Sequence, residues 1–164
     1  MSKDSAEGRN QGAASLGFVL EGRSLWLLVL LELALVAGTI TYWTYFFLVG
    51  APRSICGQLG DGYLMYERAF PAADGLLCVA LLTGAIGLLQ RRSYGPILSL
   101  AAGGALIFLG VLDVSFNLMN GIYFISVCQG IANGLLNLVC IASGGTLLGL
   151  QAKHVRIISS TAEH

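Results

Sequence analysis

Four stretches of the chain, residues 25–50, 71–90, 95–119 and 122–150, contain only three charged side chains between them, Glu32, Asp74 and Asp113. Each is long enough to cross a hydrocarbon core, which takes roughly 20 helical residues. In lipid every backbone amide and carbonyl must be satisfied from within, and no alternation of polar and apolar residues points to a barrel, so each run is expected to be a helix. The expected fold is an all-α integral membrane protein. It is an antiparallel four-transmembrane-helix bundle in one domain, 25–151, between polar tails at 1–24 and 152–164.

Composition points the same way, since 55% hydrophobic and 11% charged residues are too apolar for an ordinary soluble domain. The formal net charge is zero and the basic residues are scattered, so the basic stripe of a nucleic-acid binder is missing and the lipid bilayer is the expected surrounding. The first run is too long for a signal segment and continues into TYWTYFF with no A-x-A site, so it is expected to be retained.

Lysine and arginine set the orientation. Lys3, Arg9, Arg23, Arg91, Arg92, Lys153 and Arg156 flank one side, against Arg53 and Arg68 on the other. Seven against two places both termini in the cytoplasm by the positive-inside rule, with the first and third connections outside. A plasma membrane or a bacterial inner membrane is the default compartment.

The connections RRSY and NG are tight, which makes the second, third and fourth helices neighbouring hairpins. The first connection, APRSICGQLGDGYLMYERAF, has room for structure of its own and mixes aromatic and charged residues, as interfacial segments do. It is expected to cap the outer mouth of the bundle, with Glu67 and Arg68 closing over it. Gly130 with Gly134 and Gly145 with Gly149 are GxxxG spacings that let helices approach closely in lipid, within the bundle, in a homo-oligomer or against a partner membrane protein.

The polar residues inside the runs are the candidate working parts. The third helix carries Gly110, Asp113, Asn117 and Asn120 along one stripe, and the fourth carries Ser126, Gln129, Asn133 and Asn137 at spacings of 3, 4 and 4. Carboxylates and amides at membrane depth are costly unless they meet partners or water, so the stripes should face each other or a shared outward-facing pocket. Asp113 lies roughly 10 Å deep by the helical rise of about 1.5 Å per residue. It is near the carboxyl end of its helix, where the dipole opposes a negative charge. Either it pairs with Arg68 or Arg53, or it is a working carboxylate.

Asp74 follows Pro71 and is expected in the first helical turn, where free amides stabilise an anion. Asn133 and Asn137 also suit a role as interhelical glue. The expected solute-binding set is Asp113, Asn117, Gln129, Asn133, Asp74, Glu67 and Arg68. Glu32, roughly 10 Å from the cytoplasmic face by the same rise, could extend a polar path through Asn137, or pair with Arg23 or Lys153.

Other chemistry is missing. Cys56, Cys78, Cys128 and Cys140 form no C-x-x-C and are expected to pack as free thiols, although Cys56 could reach Cys78 or Cys128 in an oxidising space. His154 and His164 lie in the tail, so no metal, haem or other cofactor site and no Ser-His triad is expected inside the membrane. The function these residues favour is that of a transporter-like protein, binding or translocating a small polar or cationic solute with or without coupled protons. A structural or accessory subunit comes second. A small lipid-modifying enzyme using Glu67, Asp74 and Asp113 comes third, because each helix carries only one acid where a diphosphate site needs several.

Overall fold

The computed structural model describes residues 22–50, 53–54, 57–58 and 60–161, with side chains for 22–48, 60 and 62–152. The amino-terminal tail with Lys3 and Arg9, Cys56, His164 and the side chains of Arg53, Lys153, His154 and Arg156 lie outside the described residues.

The first apolar run forms α1 (Gly22–Tyr45), which continues as a π-helical turn (Phe46–Gly50). A two-residue pair follows, β1 (Arg53–Ser54) and β2 (Gly57–Gln58), antiparallel with Arg53 opposite Gln58. Then come α2 (Asp61–Glu67), α3 (Phe70–Leu89), α4 (Tyr94–Met119), a 3-10 turn (Ile122–Phe124) and α5 (Val127–Thr161).

Four helices are long and apolar enough to cross a membrane: Gly22–Leu48, Gly62–Leu89, Tyr94–Met119 and Val127–Ala152. Only 22–33% of the apolar window of each is buried inside the protein, so most of this apolar surface faces outward and needs an apolar medium. The fourth helix departs from expectation at both ends. Residues 122–124 wind as a 3-10 turn after Gly121, whose φ of 66° reverses the chain, and α5 runs on through residue 161 where a polar tail was expected.

The core lies where one stripe of each helix meets the others. On α1 the stripe is Leu25, Leu28, Val29, Glu32 and Val36, spaced three and four apart. It packs with Leu77, Leu81, Ala85 and Leu88 of α3, Ala102 and Leu106 of α4, and Leu147 of α5. Glycine sets how closely these helices approach. A Cβ on Gly87 would sit 2.6 Å from Gly95 Cα, and one on Gly144 would sit 2.6 Å from the Gly103 carbonyl oxygen. A Cβ on Gly110 would come within 2.7 Å of Ile141 Cγ1. The expected GxxxG pairs behave differently. Gly134, Gly145 and Gly149 have nothing within 4 Å of an added Cβ, and Gly130 is pressed against the Tyr123 carbonyl oxygen of the turn before its own helix. Among the described glycines, close helix contact therefore comes from positions outside those motifs.

Candidate functional site

The close approach of α4 and α5 at Gly110 does not continue across the bundle. Between α1, α3, α4 and α5 lies a cavity of about 260 Å³, walled mainly by aliphatic side chains. Three carboxylates line it, Glu67 from the end of α2, Asp74 from α3 and Asp113 from α4. Among the described residues no lysine, arginine or histidine does.

Each carboxylate is held by a different donor. The Tyr42 hydroxyl donates to Glu67 Oε1. The Trp43 indole Nε1 donates to Asp74 Oδ2 at 2.9 Å. Asn117 Nδ2, one helical turn on from Asp113, donates to its Oδ2 at 3.0 Å, and Asn137 of α5 stands on the same cavity wall. Asn137 Nδ2 donates to the Tyr123 hydroxyl at 2.6 Å. Above them, the Tyr63 hydroxyl donates to Asn133 Oδ1 at 3.1 Å. Tyr66 stacks on Phe116 with rings 3.5 Å apart and 2° from parallel, closing that layer.

The cavity gathers Asp113, Asp74, Glu67 and Asn137 of the residues singled out in the sequence. Asn117 is completely buried behind Asp113, and its Oδ1 has no hydrogen-bond partner among the described residues. Gln129 is buried one turn before Asn133, with its Oε1 likewise unpartnered. Asn120 is exposed and donates to the Phe116 carbonyl. Arg68 is exposed and off the cavity wall, and it forms no ion pair among the described residues. A bridge from Arg68 to Asp113 is thus excluded, and Arg53 lies outside the described side chains.

Asp74 also differs from its expected capping role. The helix starts at Phe70, one turn earlier, with no acid in its first turn. Asp74 therefore points its carboxylate at Trp43 rather than at free amides.

Glu32 stands apart from this cavity. It is completely buried and neither carboxyl oxygen has a hydrogen-bond partner among the described residues. The nearest candidate donor, the Ser99 hydroxyl, gives its proton to the Gly95 carbonyl at 3.0 Å. Arg23 is exposed and makes no ion pair with Glu32. Buried aliphatic side chains, Val36, Leu81, Ala102 and Leu147, and the buried Ser143 of α5 belong to the same helices, and Glu32 does not line the cavity.

Sequence reasoning missed the aromatic donors Tyr42, Trp43 and Tyr63 and the acceptor Tyr123. The one available signal was spacing, because Tyr63 and Glu67 sit four apart on a helix face, where side chains meet. Cys128 is disulfide-bonded, against the expectation of a packed free thiol, and its partner lies outside the described residues. Cys78 and Cys140 are free. In comparisons with protein-family models, curated proteins and solved structures, the chain matches none.

Three carboxylates around one mostly apolar cavity repel one another, more strongly than in water. Such a site favours whatever brings positive charge to it. No three acids, cysteines or histidines among the described residues stand close enough to hold a metal ion. What the walls offer is separate carboxyl groups, each fixed by a hydrogen bond.

Proposed function

We propose that the protein binds a small cationic solute in this cavity, inside the membrane, with Asp113, Asp74 and Glu67 as the charged contacts. The observation that carries this reading is three carboxylates on one cavity wall with no basic side chain among its described residues. A buried anion without a counter-charge is expensive, and a cationic ligand would offset that cost.

In this reading α1, α3, α4 and α5 cross in alternating directions with cytoplasmic termini. The order of contacts supports alternation: Trp43 meets Asp74 while Glu32 lies beside Gly84, and Gly103 meets Gly144 while Gly110 lies beside Asn137. The distribution of basic residues supports the orientation. So does the Cys128 disulfide at the start of α5, because disulfides persist in oxidising spaces outside the cytoplasm. Carriage across the bilayer would call for a second copy, and the exposed Gly145 and Gly149 give a strip on which helices could pack closely.

The test uses Trp43, one of only two tryptophans. With Trp26→Phe, emission reports on the indole that bonds Asp74. Titration in lipid nanodiscs with methylammonium, octylamine and acetate should give a saturable change with a cation and none with acetate. Asp113→Asn should weaken that binding by roughly tenfold or more, the loss of one charge-assisted hydrogen bond. Absence of saturation with every cation would end this reading.

A further inference from the structure

We infer that the ligand is an amphiphilic amine drawn from the bilayer, with its N–H-bearing ammonium head among Glu67, Asp74 and Asp113 and its apolar chain leaving between α1 and α5. This rests on the cation reading above and adds the kind of cation and its route.

The head is specified by unmet acceptors. On the cavity wall Glu67 accepts through Oε1, Asp74 through Oδ2 and Asp113 through Oδ2, which leaves lone pairs on the second oxygen of each acid for a ligand. Those lone pairs call for N–H donors, which a protonated amine supplies and a metal ion or quaternary ammonium does not. A metal would also need its oxygens to converge to about 2.0–2.6 Å, whereas each acid here is tied to a different donor.

The body is specified by the walls. Tyr42 and Trp43, edge-to-face with ring centroids 5.2 Å apart, and Phe70 stand on the cavity beside the acids, and aromatic faces attract cations within about 6 Å. A volume of about 260 Å³ holds a head and its first methylenes, while complete small-molecule sites run to roughly 300–1,000 Å³, so a longer chain has to emerge.

The exit is specified by the helix order. α1 and α5 touch far less than α1 and α3 or α4 and α5. Ala34 and Gly38 of α1 and Leu136 and Val139 of α5 line the cavity, yet all four are also exposed on the outside of the bundle. The seam therefore opens sideways, toward the surface where lipid tails would lie, and its α1 edge carries no large side chain.

The experiment uses the Trp26→Phe protein in phosphatidylcholine nanodiscs and four probes. Octylamine should saturate the Trp43 signal. Octyltrimethylammonium, which lacks N–H groups, and methylammonium, which lacks the chain, should each bind roughly tenfold or more weakly, and octanol should not saturate. Gly38→Phe, placed where an added Cβ meets nothing within 4 Å, should fold and cut octylamine affinity by a similar factor, roughly tenfold, by filling the seam. Methylammonium binding as tightly as octylamine, or Gly38→Phe without effect, would overturn the amphiphile and its route while leaving cation binding intact. Equal binding of the two octyl cations would overturn the N–H argument. Saturation by no cation would remove this inference together with the reading beneath it.

Discussion

Alanine at Gly144 and alanine at Gly145 should shift the melting temperature in opposite directions. Both positions lie inside α5, where alanine is intrinsically better than glycine by about 1 kcal/mol. At Gly145 the added methyl meets nothing within 4 Å, so that gain stands and melting should rise by roughly 2–4 °C for a chain of this size. At Gly144 the same methyl would lie 2.6 Å from the Gly103 carbonyl oxygen, 2.8 Å from Ile107 Cγ1 and 3.1 Å from Ile107 N. Two of those three atoms are α4 backbone, which cannot turn aside as a side chain can. The methyl fits only if α4 moves off α5, and overpacking of this kind costs roughly 1–3 kcal/mol. With contacts this short the upper end applies, which leaves a net loss of about 2 kcal/mol and a fall of roughly 4–8 °C. The assay is melting of both purified variants and the parent in one detergent, followed by tryptophan emission. Equal shifts, or a larger loss at Gly145, would refute the register of α4 against α5. The placing of Asn137 and Asp113 on one cavity wall would go with it, since both depend on the same alignment.

Glu32→Met should stabilise the protein by roughly 1–3 kcal/mol, because it removes two buried carboxyl oxygens that have no partner and keeps the volume. A drop in melting temperature would instead show that Glu32 has found a donor, with the buried and equally unpartnered Gln151 Nε2 the first to examine. Cys128→Ser should cost roughly 2–4 kcal/mol and abolish any effect of reductant on melting. Identical melting of the parent with and without reductant would show that this disulfide contributes nothing to stability.

The helical framework was legible because membrane helices advertise themselves by length and apolarity, which need no partner to interpret. The polar stripe at Asp113 was legible for the same reason, being a local departure from an apolar run. What failed were inferences that depended on where a neighbouring element begins. Asp74 read as a cap because Pro71 looked like a helix start, but Phe70 already lies in the helix and α2 runs almost directly into it. Glu67 and Arg68 were expected to close over the pocket together because the two are adjacent in sequence. Adjacent helical residues point to different faces, and only Glu67 turns inward to Tyr42. The GxxxG spacings show the same limit, since spacing gives a face but not what lies opposite it.

By itself the sequence determined four apolar helices and three lone acids at depth within them, because hydrophobic length and the cost of charge in lipid act on each segment separately. Only the tertiary structure decided which acids share a space. Glu67, Asp74 and Asp113 converge through contacts between helices whose approach glycines set, while Glu32 lies outside their cavity. The tyrosine and the tryptophan that hold Glu67 and Asp74 come from another helix, α1. A hydrogen bond between elements depends on their rotation and register together, and no single segment carries either.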